Sequence, residues 1–305
     1  MMLLLHSRVG EPPVWPPWSW EPGIVVPLLI TGILYAAGLR LLWDERVGRG
    51  IRVWEAACFA AGWLVAAIAL LSPIHALSEQ LFSVHMLQHE LLMVVAAPLL
   101  VLGRPLVPTL WALPSTIRRR VGRVTRRSWL RTLWGFISLP FVAFLAHGAA
   151  IWLWHVPVLF QPALHNDALH AIQHISFFGT ALLFWWTIIR AHAHGGHARA
   201  VTFGGAVLLL FATAVHSGAL GGLLTFSRRL WYPAYGSGAA HWGLSPLEDQ
   251  QLAGLIMWIP ATFAYLVAAL CLFAQWLRAS EERVQELETV RVTDGARSRE
   301  SDAWA

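Results

Sequence analysis

The chain of 305 residues has no lysine, because all 22 of its basic residues are arginine. This absence excludes any chemistry that needs a lysine amine, including a Schiff base with retinal. Cysteine is also scarce: Cys58 and Cys271 lie inside apolar segments without a partner at metal-ligand spacing. A disulfide framework and a cysteine metal site are therefore not expected.

Charged residues make up only 13% of the sequence, whereas hydrophobic residues make up 57%. A soluble fold of this composition would lack the polar surface that covers a core, so a lipid bilayer is the expected solvent. The net charge of +5 does not predict nucleic-acid binding, because the arginines fall in short loops between apolar segments. Neither a G-x-S-x-G nor an H-E-x-x-H motif occurs, and we predict no enzyme activity.

Seven apolar windows are long enough to cross a bilayer as helix, which takes roughly 20 residues. The predicted fold class is all-α: a polytopic membrane helix bundle with about seven transmembrane helices. Prolines inside three of the windows, Pro98, Pro140 and Pro260, predict kinks. The windows lie at about 24–43, 55–72, 79–102, 136–155, 167–189, 201–225 and 250–277.

The arginines also predict the orientation of the bundle. All but three of them fall in residues 40–52, 104–131, 190–199 and the tail from 278. By the positive-inside rule, the N-terminus is predicted outside and the C-terminus inside. Within 104–131, apolar residues at helical spacing among arginines suit an interfacial helix, although a simple topology anchor is the favoured interpretation.

Three regions follow from this topology. Residues 1–23 are predicted as an external segment without a cleaved signal peptide. Residues 24–277 form the predicted transmembrane domain, and residues 278–305 a polar cytoplasmic tail with one or two helical turns followed by disorder.

Most of the 14 histidines converge near the predicted outer face. Two pairs stand four residues apart, in HMLQH of the third window and HAIQH of the fifth, so each pair occupies one helical face. Ionisable groups are unfavourable in a bilayer and are usually functional there, although a structural polar network is the alternative. The converging histidines are His75, His85, His89, His147, His155, His165, His170, His174 and His216.

Two imidazoles four residues apart can bind one metal ion, and a pair from a neighbouring helix can complete the coordination shell. We therefore predict a transition-metal site. Gln88, Glu90 and Gln173 could orient the ligands by hydrogen bonds. Thioether sulfur favours Cu(I), but the methionines Met86, Met93 and Met257 form no methionine-rich motif. The predicted metal ligands are His85, His89, His170 and His174, with His147, His155, His216 and Asp249 as further candidates.

For Asp249 and for a separate histidine tract, an interpretation without a metal is equal to or better than metal binding. Asp249 also lies in the predicted first turn of the last helix, where the helix dipole favours negative charge and Ser245 can act as the cap. His192, His194 and His197 form a separate tract in a cytoplasmic loop, where a flexible basic loop is favoured over a metal site.

The segments SVHMLQHELLMVVAAPLLVLGRPL, WLWHVPVLF, ALHAIQH and LEDQQLAGLIMW resemble the multi-spanning CtaG family of cytochrome c oxidase assembly factors. The resemblance runs from about Leu71 to Trp276. It implies a multi-pass protein of the bacterial inner (cytoplasmic) membrane that helps to mature a haem-copper oxidase. The residues that carry the resemblance are His85, His89, His155, His170, His174 and Asp249.

The resulting hypothesis is that an outward-facing site binds copper and delivers it to a cytochrome c oxidase subunit. Its expected partners are oxidase subunits and the lipid bilayer, and no nucleic acid. Two alternatives remain open at the level of the sequence. One is a haem-binding membrane electron carrier, with histidines as axial ligands. The other is a metal-free scaffold for oxidase assembly, with the histidines as polar contacts between helices.

Overall fold

The computed structural model describes residues 18–190, 203–235 and 238–303, and within these ranges the chain is helical without a β-strand. Long helices alternate with short ones that lie at the ends of the bundle. The long helices and their continuations are α1 (Pro22–Trp43), α2 (Val53–Leu71), α4 (Phe82–Glu90), a π-helical segment (Leu91–Ala96), α5 (Ala97–Leu102), α9 (Pro140–Trp154), α11 (Asp167–Arg190), α12 (Phe203–Thr225) and α13 (Pro246–Ala303). The short helices are α3 (Pro73–Ser78), α6 (Leu106–Ala112), α7 (Ser115–Thr125), α8 (Ser128–Ile137) and α10 (Pro157–Leu164).

Six of the described helical stretches are long and apolar enough to cross a membrane: α1, α2, Phe82–Leu102, α11, α12 and the first part of α13. They coincide with six of the seven predicted windows. Large apolar side chains also remain exposed on their outer faces, among them Ile33, Leu208, Phe211 and Phe263. An apolar exterior of this extent fits contact with lipid. The all-helical, multi-pass prediction is therefore confirmed.

The fourth predicted window, residues 136–155, is not one straight span. The chain breaks before Pro140, and α8 makes an angle of 66° with α9. Proline has no N–H to continue the preceding helix and suits the first position of a new one, so the predicted kink is a complete break. The 15 residues of α9 span only about 22 Å. α8 carries exposed Trp129, Leu133 and Trp134, which suits a position at the membrane interface.

The other two predicted kinks have different outcomes. Pro98 lies in the first turn of α5, where the α-helix resumes after the π-helical segment. Pro260 lies within α13, which continues as helix through it and on to Ala303. The prediction of only one or two helical turns after residue 277 was therefore wrong. Glutamate, glutamine, arginine and leucine are frequent in residues 278–291, and these residue types propagate a helix.

A hydrophobic core connects α4, α9, α11, α12 and α13. Its largest fully buried side chains are aromatic and include Phe82, Phe160, Phe177, Phe184 and Tyr232. Helices α12 and α13 pack especially closely, because a Cβ atom on Gly254 would lie only 2.5 Å from the backbone oxygen of Gly221. Small residues allow two membrane helices to approach backbone to backbone in this way. Helix α4 packs against α13 within this core, and its side chains contact those of α11, where the candidate site lies.

Candidate functional site

Helices α4 and α11 bring the two predicted histidine pairs together. His85 and His89 occupy one face of α4, and His170 and His174 occupy the facing side of α11, as the spacing of four residues predicts. We call these side chains the four-histidine group. His85 and His89 are almost completely buried, with 1% and 2% of their surface exposed.

The four rings lie close together. Ring centroids are 4.4 Å apart within each pair, for His85 with His89 and for His170 with His174. Across the helices, the centroids of His85 and His170 are 5.4 Å apart, and those of His89 and His174 are 5.0 Å apart. The closest nitrogens are Nε2 of His170 and Nε2 of His174, at 2.9 Å. This separation suits a hydrogen bond between them or a cation bound by both.

Several ring nitrogens of the group have no hydrogen-bond partner of normal geometry among the residues that the structure describes. They are both nitrogens of His85, both nitrogens of His89 and Nδ1 of His174. Buried polar atoms in native proteins are nearly always paired with protein, water or an ion. The group therefore has several lone pairs or N–H donors free for a small ligand inside the bundle.

The surroundings hold this group from two sides. Gln88 donates a hydrogen bond to the Ala69 carbonyl at 2.7 Å and lies 3.0 Å from Nδ1 of His75. The His75 ring stacks at 6.2 Å on that of His170, and so it extends the group towards α3. On the other side, the Tyr235 ring lies 6.3 Å from that of His85. Burial raises the pKa of the Tyr235 hydroxyl, which stays protonated and donates to the Ser78 carbonyl.

His155 lies close to the group but is fixed separately. Its Nδ1 lies 2.6 Å from the Ile151 carbonyl, and its Nε2 lies 3.3 Å from Sδ of Met86. The Tyr232 hydroxyl donates to the His155 carbonyl at 2.6 Å. These contacts orient the ring towards a small cavity of about 10 Å³ beside His89. Glu90 and three methionines are among the other residues that line the cavity.

Two further candidates, His147 and His216, lie together at a different place between α9 and α12. Nδ1 of His147 contacts the Thr180 hydroxyl at 3.1 Å. The His216 ring packs on Phe144, 5.6 Å between centroids, and lies against Gly148. Their ring contacts are with these neighbours rather than with α4, so they are separate from the four-histidine group.

Asp249 stabilises the start of α4. Its carboxylate accepts hydrogen bonds from the backbone N–H of Phe82 at 2.7 Å and of Ser83 at 3.1 Å, and from the Ser83 hydroxyl. This is the role of a helix cap, supplied from another helix. These three donors give Asp249 a structural role, and its role as a metal ligand stays a prediction. The predicted capping of α13 is confirmed by reciprocal hydrogen bonds between Ser245 and Glu248.

The remaining predicted histidines contribute nothing to the group. His165 is exposed at the end of α10. His192, His194 and His197 lie outside the described residues. Among the described residues, moreover, no three His, Cys, Asp or Glu side chains are arranged to hold a metal ion as they stand. The four-histidine group therefore has the residue types of a metal site without its final coordination geometry.

The methionines that surround the cavity beside His89 were not among the metal ligands predicted from the sequence. Met86, Met93 and Met257 all line it, although they do not form a local motif. A signal was present in part, because Met86, Glu90 and Met93 follow the i, i+4, i+7 spacing of one helical face. Met257 comes from α13, and its position could not be read from that spacing.

A family model described as cytochrome c oxidase caa3 assembly factor (Caa3_CtaG) matches residues 33–279. The chain belongs to this family. The resemblance recognised between Leu71 and Trp276 is therefore confirmed, and the matched region of this CtaG-family protein begins within α1 and ends within α13.

Curated relatives of the CtaG-family chain come from mycobacteria. It is 30% identical over 300 residues to uncharacterized protein Mb0105 of Mycobacterium bovis and to uncharacterized protein MT0111 of Mycobacterium tuberculosis. Each alignment covers 94% of this chain and 44% of the relative. Uncharacterized protein ML1998 of Mycobacterium leprae is 26% identical over 269 residues, covering 86% of this chain and 40% of that protein. The chain thus spans less than half the length of these relatives. No solved structure matches it.

Proposed function

We propose that this CtaG-family protein assists the assembly of a caa3-type cytochrome c oxidase by binding copper at the four-histidine group and delivering it to an oxidase subunit. The copper ion is cargo in this proposal and not a resident cofactor. The observation that carries it is the meeting of two i, i+4 histidine pairs from α4 and α11 in a buried position with unpartnered ring nitrogens. Family membership supplies the oxidase as the recipient.

Ring spacing supports a common metal. A metal bonded to a ring nitrogen at about 2.0–2.1 Å lies about 3.2 Å from the ring centroid, so a tetrahedral shell separates centroids by about 5 Å. The recorded separations between these rings run from 4.4 to 6.2 Å. Rotation about χ2, which is broad for histidine, changes where the nitrogens point without moving the helices. Modest ring rotation is the change that copper binding requires here.

Delivery also needs ligands that can be exchanged one at a time. His75 stacks on His170 at one edge of the four-histidine group, and His155 lines the same cavity as His89. An ion can therefore gain a new imidazole before it loses an old one. With the orientation predicted from the arginines, this site faces the outer side of the inner membrane.

Haem binding has less support than copper binding. The cavity beside His89 has a volume of about 10 Å³. The rings of the four-histidine group have centroids only 4.4 to 6.2 Å apart, which leaves no space for a porphyrin between them. The space suits one atom-sized ligand, and an optical spectrum of the purified protein separates the two cofactors because haem has a Soret band.

The proposal predicts that the double variant His85→Ala/His170→Ala loses oxidase maturation. We expect membranes of a strain that carries this variant to have caa3-type oxidase activity as low as a strain without the gene, because one ligand is missing from each pair. The measurement is oxidase activity per amount of membrane protein under copper-limited growth, with the variant's level checked by immunoblot. His165→Ala is the matched control, because His165 is exposed and lies outside the group.

Wild-type activity in the double variant, at a normal protein level, would contradict copper binding at this group. It would leave the metal-free scaffold as the better account, because a scaffold tolerates the loss of individual histidines.

A further inference from the structure

The cavity beside His89 collects all the methionines of the chain except the first two residues. It is lined by Met86, Met93 and Met257, together with His155 and Glu90. We propose that this cavity is a second metal site, specific for Cu(I), in which the three thioethers and the Nε2 atom of His155 are the ligands. Thioether sulfur is a soft ligand that selects Cu(I) over harder cations.

The hydrogen bonds of His155 determine which of its nitrogens faces the cavity with a lone pair. The Ile151 carbonyl can only accept a hydrogen bond, so Nδ1 of His155 carries the proton that lies between them at 2.6 Å. In the neutral ring, Nε2 is then an acceptor without a proton. It lies 3.3 Å from Sδ of Met86, which also has only lone pairs to offer. Two lone pairs in such proximity are stabilised by a cation that both can bind.

The distance between these two atoms fits a shared metal. With metal–nitrogen and metal–sulfur bonds of about 2.0 and 2.3 Å, the observed separation of 3.3 Å corresponds to an N–metal–S angle of about 100°. This angle is near the tetrahedral value. The cavity volume of about 10 Å³ accommodates one ion and leaves no room for its hydration shell.

Charge favours a monovalent ion. Glu90 lines the cavity and is buried, but thioethers and a neutral imidazole contribute no charge to it. A divalent ion would therefore bring two positive charges into the interior of the bundle, whereas Cu(I) brings one. Because charge is unfavourable at this depth, the ligand set favours the monovalent ion.

The backbone of the third span is modified at the same place. The α-helix of α4 ends at Glu90, and the following six residues, Leu91–Ala96, form a π-helix that contains Met93. Short π-helical segments inside α-helices are frequent at functional sites, because the extra residue per turn redirects the side chains. Met93 on this segment lines the same cavity as Glu90 and Met86, which lie one and two turns earlier on α4.

His89 joins the two sites, because it belongs to the four-histidine group and also lines the cavity. The Cu(I) site rests on its own geometry, whereas its role as a second position for transported copper rests on the proposed function. Both imidazoles and thioethers can bind copper. Copper can therefore pass between the two sites as Cu(I), without an oxidation or reduction step.

X-ray absorption spectroscopy on the detergent-purified full chain, loaded anaerobically with Cu(I), tests this site. The background carries Cys58→Ala and Cys271→Ala, so that sulfur scattering can come only from thioethers. We expect a copper–sulfur contribution in this background. We expect its loss in the further variant Met86→Leu/Met93→Leu/Met257→Leu, whose near-equal side-chain volumes preserve packing. Met1 and Met2 remain present, so they cannot explain a loss.

The control separates this proposal from the proposed function. In His85→Ala/His170→Ala on the same background, we expect the sulfur contribution to persist. A spectrum with only nitrogen and oxygen neighbours before any methionine is replaced would overturn the Cu(I) site, and so would sulfur scattering that survives the three leucine substitutions. Retention of sulfur scattering together with normal oxidase activity in the histidine variant would instead contradict the proposed function and leave the Cu(I) site standing.

Discussion

At the scale of single residues, Asp249 connects the last helix to the candidate site. It accepts backbone hydrogen bonds from Phe82 and Ser83, at the start of the helix that carries His85. The positive end of the α4 dipole further stabilises this negative charge. The position of His85 therefore depends on a residue that does not need to touch the metal.

Asp249→Asn is predicted to destabilise the folded protein by about 1–3 kcal/mol, because the amide presents a donor to backbone donors and leaves a buried group unpaired. The measurement is the midpoint of thermal unfolding in mild detergent. Asp44→Asn is the control, because Asp44 is exposed after the end of α1. Equal midpoints for Asp249→Asn and wild type would show that this cap is not needed for the fold.

Only some features of the candidate site could be predicted from the sequence. The pairs His85/His89 and His170/His174 could be predicted, because four-residue spacing fixes a common helical face. The cap that Asp249 supplies to α4 was not predicted, since its hydrogen-bond partners are 166 and 167 residues away. The separation of His147 from the group depends on how the helices pack and rotate, and the hydropathy of a segment does not predict either.

At the scale of elements, the contact between α12 and α13 fixes the helix that completes the cavity. A Cβ atom on Gly221 would lie 2.7 Å from the Gly254 carbonyl oxygen, which real Cβ contacts do not permit. The two backbones must therefore move apart if either glycine gains a side chain. Met257 and Tyr265 on α13 line the cavity and would move with that helix.

Gly221→Ala is predicted to lower stability by about 1–3 kcal/mol through overpacking. Gly222→Ala is the matched control: the same substitution one residue later meets nothing within 4 Å. Thermal unfolding of both variants in the same detergent provides the comparison. If Gly221→Ala unfolds at the same temperature as Gly222→Ala, the close approach of α12 and α13 is not the source of stability.

The ends of the membrane spans were predicted well wherever the length of an apolar segment determines them. Six spans begin and end within a few residues of their windows, because a bilayer demands a minimum apolar length. The break before Pro140 was predicted as a kink but is larger, and the π-helix at Leu91–Ala96 was not predicted. Within the π-helix, the Met93 carbonyl accepts a hydrogen bond from the Trp185 indole of α11, a contact that the local sequence does not reveal.

At the scale of the whole molecule, the function requires the four-histidine group to lie on the outer side of the membrane. Helix α4, which forms the N-terminal half of the span Phe82–Leu102, and the start of α11 carry its histidines. The loop after α12 packs over His85 through Tyr235. The arginine-rich helix α7 lies in a connection of the opposite predicted side. The outward orientation is a prediction from the positive-inside rule.

Single cysteines in the Cys58→Ala/Cys271→Ala background test this orientation. We expect a membrane-impermeant maleimide to label Arg228→Cys in intact spheroplasts and to label Thr125→Cys only after lysis. Both positions are exposed, so differences in burial do not account for a difference in labelling. The opposite labelling pattern would place the four-histidine group on the cytoplasmic side and exclude delivery of copper to an outer site.

The most direct test of the account is elemental analysis, with an optical spectrum, of the full chain purified in mild detergent after copper-replete growth. Wild type, His165→Ala and His85→Ala/His170→Ala are measured side by side. The account predicts copper in wild type and in His165→Ala, a decrease of about one equivalent in the double variant, and no Soret band. Equal copper content in all three proteins, or no copper in wild type, would contradict copper binding at the four-histidine group.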